Sequence, residues 1–149
     1  MHQDIARTVT VAAPPPDVWR TLLDVQRVAS WLTIVGQVRE IEPLRRYTAV
    51  LEDKIGPFAL RADLAVTVTA DEPRLRVEAQ GEDRQVASRI TARIDLAVAE
   101  DGGRTRVDVG GGYDITGRIA TLGAGAIRKK GEHVLDEFVA SLTRAFGSP

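Results

Sequence analysis

The sequence predicts an α+β domain in which a curved antiparallel sheet of about seven strands wraps around one long C-terminal helix. From about residue 37 to residue 115, apolar and charged side chains alternate in successive runs that short turns separate. Such alternation is typical of strands with one buried face, and short turns favour antiparallel neighbours. Thr116–Phe146 then carries apolar residues at helical spacing and no proline. We expect residues 1–149 to form one domain, because this length suits a single core.

The individual elements can be placed in order along the chain. The first strand, Ala6–Ala13, alternates valine with threonine and ends at three consecutive prolines. A short helix is expected from Asp17, whose carboxylate suits a helix N-terminus, to about Val25, followed by a second short helix or turn at Val28–Leu32. Turn signals occur at Gly56-Pro57, Gly81–Asp83 and Asp101-Gly102-Gly103. The remaining strands are predicted at Val38–Glu42, Arg46–Ile55, Phe58–Ala70, Arg74–Ala79, Gln85–Ala99 and Thr105–Ile115.

The long terminal helix has two halves of different character. Its apolar residues change direction across Arg128–Gly131, so the helix either bends near Gly131 or buries different faces in its two halves. Gly123, Gly125 and Gly131 weaken the first half, whereas Gly147 is the first glycine of the second half and its expected stop. We interpret the second half as a packed anchor and the first half as the part that moves or approaches another surface. The alternative is that the glycines only let helix and sheet pack tightly.

Composition excludes several classes of function. The net charge of −1 does not suggest nucleic-acid binding, and the absence of cysteine excludes disulfides and thiolate chemistry. No apolar run has membrane-spanning length and the N-terminus lacks a signal-peptide core, so we expect a cytoplasmic protein. His2, at an N-terminus expected to be flexible, and His133 are the only histidines. We therefore expect no metal site, no cofactor and no catalytic triad.

The expected inner face of the sheet is rich in small residues: Ala49, Ala62, Ala79, Ser88, Ala92 and Gly111. Small residues beneath a helix either let it approach closely or leave a lipophilic cavity.

Asp53 is the one charged residue on its strand's apolar side, and we expect it to point outward, with a polar spot in the cavity as the alternative. Trp31 and Leu32 either form an exposed apolar rim or cap the core. The basic run Arg128–Lys130 is a solvated face or a contact for anionic lipid or an acidic partner.

This order of elements resembles the helix-grip, or Bet v 1-like, proteins of the START/SRPBCC superfamily. The opening Val11–Trp19, with Leu22, Leu23 and Asp24, is similar to the usual start of that superfamily. Gly56-Pro57 before a long alternating strand resembles the family of CoxG, a carbon monoxide dehydrogenase subunit. Gly117–Gly123, continuing to Phe138 and Leu142, resembles the same family. The resemblance covers nearly the whole chain.

The resemblance implies a function that composition does not give. Members of that family are linked to the molybdenum-containing carbon monoxide dehydrogenase, with roles in membrane recruitment and in binding a lipophilic quinone. For this chain, the resemblance implies a non-catalytic carrier or recruiter. It also implies a molybdenum hydroxylase as partner and a peripheral contact with the inner face of the membrane.

We therefore expect a lipophilic ligand, a quinone or similar isoprenoid lipid, between the sheet and the first half of the long helix. One alternative is an enzyme of the polyketide cyclase or hydratase kind, which needs a titratable side chain such as Asp53 or Tyr113 facing the cavity. Another is a docking module that binds no small ligand. The expected ligand-binding residues are Trp31 and Leu32 at the rim and, in the wall, Leu60, Leu64, Ile90, Ile94, Tyr113, Ile119, Leu122 and Ala126.

Overall fold

A computed structural model describes all residues from 1 to 149. The strands are β1 (His2–Val11), β2 (Val35–Glu42), β3 (Arg46–Ile55), β4 (Phe58–Asp71), β5 (Arg74–Asp83), β6 (Ser88–Asp101) and β7 (Arg104–Gly117). Two short helices, α1 (Pro15–Leu22) and α2 (Val25–Ser30), follow β1, and a 3-10 turn (Arg118–Leu122) leads into the terminal helix α3 (Ala124–Phe146).

All seven strands form one antiparallel sheet in the order β1-β7-β6-β5-β4-β3-β2. Strands β2 to β7 form a meander, because consecutive strands joined by short turns pair with each other. The first strand returns to pair with the last along its whole length, from His2 opposite Asp114 to Val11 opposite Thr105. The N-terminus is thus an ordered edge of the sheet, and the expectation that His2 lies in a flexible segment is wrong.

The terminal helix begins at Ala124, and the prediction that it starts at Thr116 is wrong. Strand β7 continues to Gly117, which has φ +91° and lies so close to the Ala87 carbonyl that a side chain would not fit. Gly123, also at positive φ, separates the 3-10 turn from α3. Ile115, Ile119 and Leu122, which the prediction placed on the helix, therefore belong to other elements. Within α3, one stripe faces inward through Ile127, Gly131, Leu135, Phe138 and Leu142.

The turn predicted at Gly81–Asp83 lies further along the chain. Strand β5 runs through Asp83, and the turn is formed by residues 84–87. The carboxylate of Asp83 is buried and accepts hydrogen bonds from the backbone N–H groups of Arg61, Gln85 and Val86. An aspartate that bonds the backbone two or three residues ahead favours a turn after itself, which is why the strand ends here.

The buried side chains form two separate clusters on the inner face of the sheet. The first lies beneath the C-terminal half of α3 and includes Val11, Trp19, Val107, Phe138 and Leu142. The second lies at the opposite end, under the 3-10 turn and the start of α3. It contains Ala49, Leu60, Ala62, Leu64, Val86, Ile90, Ile115, Ile119 and Ile127. The helix therefore rests on apolar support at both ends, and the stretch between the two clusters is where a site can form.

Candidate functional site

The terminal helix is fastened to one edge of the sheet and to the short helices. Among the seven strands, β1 has the most extensive backbone contact with α3. The Arg7 guanidinium of β1 lies 2.7 Å from the Asp136 carboxylate. On the other side, Trp31 packs edge-on against Phe138, with ring centroids 6.1 Å apart, and the Thr33 hydroxyl donates to Glu137. The middle strands are spanned at a greater distance, so side chains decide how well the intervening space is filled.

Between the two clusters, a band of inner residues across the middle of the sheet is not fully buried. Val66 on β4, Ala79 on β5, Ala92 on β6 and Tyr113 on β7 are aligned by strand register, each opposite the next. All four face inward and remain partly exposed, as do Val77 and Ile94 in the neighbouring row. Flanking inner residues toward both clusters are buried. We call this band, defined by Val66, Val77, Ala79, Ala92, Ile94 and Tyr113, the inner groove.

Small residues create the inner groove. Ala79 and Ala92 contribute only a methyl group each, and Gly111 contributes no side chain beside Ile94. Gly111 has φ +115°, and a Cβ there would overlap the Arg93 carbonyl. Glycine is thus required where the two strand backbones approach closely. Ala79, Ala92 and Gly111, which the sequence analysis noted, therefore lie close together in this band.

At the edge of the groove, the phenol of Tyr113 extends from the sheet to the helix. Its hydroxyl donates to the Ile127 carbonyl at 3.2 Å. A Cβ on Gly131 would overlap this hydroxyl and lie 3.0 Å from Cζ, so the glycine lets the ring reach the helix. Burial raises the pKa of the Tyr113 hydroxyl above 10.0, and the nearby Glu132 carboxylate raises it further. Gly131 is therefore a contact point within α3, which is continuous from Ala124 to Phe146.

An ion pair joins α3 to strand β3 at the same turn of the helix that contacts Tyr113. Lys130 Nζ lies 2.8 Å from Asp53 Oδ2, and the Asp53 side chain is only 16% exposed. The expectation that Asp53 points outward is wrong, because the ammonium group on α3 compensates the charge that burial would otherwise penalise. Asp53 Oδ1 accepts from the Lys54 backbone N–H. Oδ2 is buried and makes no directed hydrogen bond, so its contact with Lys130 is an ion pair only.

The structure distributes the predicted site residues over five positions. Ile94 and Tyr113 lie in the inner groove, whereas Leu60, Leu64, Ile90 and Ile119 are buried in the second cluster beside it. Leu122 is partly exposed in the 3-10 turn, close to Gly56 of the β3–β4 turn. Trp31 and Leu32 are partly buried and pack against the first cluster. Ala126 is exposed, about 100° around the helix from the buried Ile127, so we leave it out of the proposed wall.

Sequence reasoning missed the role of Lys130 and misplaced Asp53. Lys130 stands three residues after Ile127, on the inward stripe of α3, and this spacing was the signal that could have found it. The signal for Asp53 was its position on β3, where alternation places it on the same side as the apolar residues of the strand. Neither residue alone predicts the pairing, because only the fold brings the middle of α3 against β3.

Two surface depressions lie elsewhere on the molecule. One, of about 400 Å³, is on the outer face of the sheet between residues such as His2, Asp4, Thr91, Arg93 and Asp114, and Ala79, Ala92 and Gly111 also line it. The other, of about 470 Å³, lies beside the irregular pairing of β2 with β3. The His2 imidazole is held between Asp4 and Asp114, at 2.8 and 3.0 Å. No three or more His, Asp or Glu side chains are placed to hold a metal ion.

No helix of the protein combines the length and the apolar character needed to cross a membrane.

The comparisons with known proteins agree with this geometry. A sequence profile of CoxG, a subunit of carbon monoxide dehydrogenase, matches residues 8–147. The chain belongs to the CoxG family. The resemblance that the sequence motifs indicated is thereby confirmed. No curated protein matches the CoxG-family chain in sequence.

Solved structures share the fold of this CoxG-family chain at low identity. A conserved protein from Geobacillus kaustophilus is 14% identical with a TM-score of 0.82, covering 97% of this chain and 94% of that one. A START superfamily protein from Mycobacterium smegmatis is 11% identical with a TM-score of 0.64, covering 97% and 99%. The Zhui aromatase/cyclase from Streptomyces sp. R1128 is 15% identical with a TM-score of 0.64, covering 97% and 95%. The predicted helix-grip fold is confirmed.

Proposed function

We propose that this CoxG-family protein binds a lipophilic molecule, a quinone or another isoprenoid lipid, in the inner groove. It would act in the cytoplasm, at the inner face of the membrane, as a carrier or recruitment partner of a molybdenum-containing carbon monoxide dehydrogenase-like enzyme. The observation that carries the proposal is the inner groove itself. Its residues lie on the side of the sheet that faces the helix, and none of them is fully buried.

Apolar surface left accessible inside a fold favours a ligand over water. Each Å² of apolar surface removed from water contributes about 25 cal/mol, so an apolar ligand that covers the groove gains affinity by burial alone. Binding sites for small molecules are typically concave, mostly apolar and provided with few polar groups. The inner groove has this composition: valine, alanine and isoleucine on the sheet, and one phenol at its edge.

The expected contacts follow from the positions of the side chains. Ile94 and Tyr113 would touch the ligand directly, and Val66, Val77, Ala79 and Ala92 would form the rest of the floor. Leu60, Leu64, Ile90 and Ile119 of the second cluster would form one end, with Leu122 above them. Trp31 and Leu32 would close the other end against Phe138.

Purification of the protein from its own host, followed by organic extraction and mass spectrometry, tests the binding function. We expect an isoprenoid quinone or lipid in near-equal molar ratio to the protein. A protein that carries no lipid, and does not retain lipid added back, would refute the binding function. Co-purification with a molybdenum hydroxylase tests the partner separately. A hydroxylase recovered with lipid-free protein would favour the docking module instead.

A second candidate function is supported by one observation. Asp53, Lys130 and Tyr113 are titratable, and each lies on or contacts the same turn of α3. An enzyme of the polyketide cyclase or hydratase kind needs such groups to move protons. Turnover of small hydrophobic substrates that falls in both Asp53→Asn and Tyr113→Phe would favour this enzyme. Turnover that both variants leave unchanged would exclude these two residues as catalysts.

A further inference from the structure

We propose that the Asp53–Lys130 pair, with the Tyr113 hydroxyl, is a recognition site for a neutral hydroxyl- or carbonyl-bearing head group. The inference rests on the proposed function, since it assigns the polar end of a ligand whose apolar part lies in the inner groove. It goes further by naming the chemistry of that head group and the residues that select it.

The pair lies on α3 next to the helix contact of Tyr113, and its Asp53 is opposite Leu60 of the second cluster. Lys130 and Gly131 are consecutive, and Gly131 lies against the Tyr113 ring at the groove edge. Asp53 lies on the inner side of β3 between Leu51 and Ile55, which are both partly exposed. One turn of α3 therefore carries contacts to β7 on one side and to β3 on the other. Asp53 contacts this turn through Lys130, and the Tyr113 hydroxyl contacts it through the Ile127 carbonyl.

Unused hydrogen-bonding capacity suits the pair to a ligand. An ammonium group has three donors, and the one polar contact of Lys130 in the structure is Asp53. A carboxylate has about four acceptor positions, and buried Oδ2 of Asp53 makes no directed hydrogen bond. Oδ2 lies 2.8 Å from Lys130 Nζ, and its second lone pair is free to accept a hydrogen bond from a ligand's donor. A hydroxyl group can donate to Asp53 and accept from Lys130 at once.

The charges of the pair exclude charged head groups. The carboxylate and the ammonium cancel, so a neutral ligand leaves the site neutral. An anionic head group near Lys130 would face Asp53, and a cationic one near Asp53 would face Lys130. Either would add an uncompensated charge to a largely buried site, which is costly.

A series of ligands with the same alkyl chain tests the inference by displacement of Nile red, a neutral lipophilic dye. The series is 4-octylphenol, octylbenzene and 4-octylbenzoate. We expect the wild type to bind 4-octylphenol about tenfold more tightly than octylbenzene, the scale of one hydrogen bond to a charged group. Asp53→Asn leaves Lys130 uncompensated and should reverse the preference toward 4-octylbenzoate. Lys129→Met, which removes an exposed charge from the neighbouring helix position, should leave the order unchanged.

The outcomes separate this inference from the proposed function. Equal affinity for all three compounds, or an order that Asp53→Asn does not alter, would refute head-group recognition while leaving groove binding intact. Failure of Nile red and of every compound to bind would refute the proposed function and the inference together.

Circular dichroism of Asp53→Asn shows whether that variant is folded. If it is not, Lys130→Gln, which removes the positive charge while keeping a donor, replaces it. It should weaken 4-octylbenzoate binding further, and affinities for 4-octylphenol and 4-octylbenzoate that this variant leaves unchanged would again refute the inference.

Discussion

The Tyr113 ring occupies the space that a side chain on Gly131 would need. A Cβ at position 131 would overlap the hydroxyl that donates to the Ile127 carbonyl. Strand β7 and helix α3 thus fix each other's position at this one contact. The same contact sets the height of the helix above the inner groove.

Gly131→Ala should therefore destabilise the protein. Alanine gains about 1 kcal/mol over glycine in a helix interior, but forcing Tyr113 aside costs about 1 to 3 kcal/mol and breaks its hydrogen bond. We expect a net loss of about 1 to 2 kcal/mol in the free energy of unfolding, measured by urea denaturation. Gly125→Ala is the matched control, because a Cβ there meets nothing within 4 Å. That variant should be neutral or slightly more stable, and equal behaviour of the two variants would contradict the contact.

Tyr113 should make the protein sensitive to alkaline pH. Its pKa is raised in the folded state, chiefly by burial, so the unfolded chain loses this proton first. The stability that the neutral phenol provides is complete below pH 10.0 and is lost as pH rises from there through the folded pKa. Above pH 10.0, the unfolding free energy of the wild type should fall more steeply than that of Tyr113→Phe. Tyrosinate absorbance of the native protein provides the direct check, and equal slopes in the two proteins would count against the assignment.

The sequence predicted the sheet well because alternation along β4, β6 and β7 is a local signal. It failed at the start of α3 for an equally local reason. Ile115 and Ile119 have helical spacing, but Gly117 and Gly123 adopt positive φ values that spacing does not reveal. In the site, the inward orientation of Tyr113 and Ile94 could be predicted from the alternation of residues along their strands alone. The Asp53–Lys130 pair could not, because it depends on how far the sheet curls toward the helix.

His2 should titrate above its ordinary pKa of 6.5. Hydrogen bonds to Asp4 and then to Asp114 favour the charged imidazolium and raise the pKa. The contribution of this ion cluster to the β1–β7 edge is complete below pH 6.5 and is lost as pH rises through the folded pKa. Nuclear magnetic resonance titration in a His133→Gln background measures His2 alone.

In that titration, Asp4→Asn should lower the His2 pKa more than Asp114→Asn does. Asp17→Asn, which removes an exposed carboxylate on α1, is the control and should not change it. A His2 pKa that neither Asp4→Asn nor Asp114→Asn alters would show that the imidazole does not make these hydrogen bonds in solution.

The most direct test of the account is Nile red binding to variants that fill the groove. Ala92→Leu adds bulk to the groove floor between Ala79 and Tyr113. Ala59→Leu adds the same bulk on the outer face of β4, and Ala126→Leu adds it to the exposed side of α3. We predict that Ala92→Leu weakens dye binding by about tenfold or more, whereas both controls bind as the wild type does. Equal binding by Ala92→Leu and the controls would contradict a ligand in the inner groove.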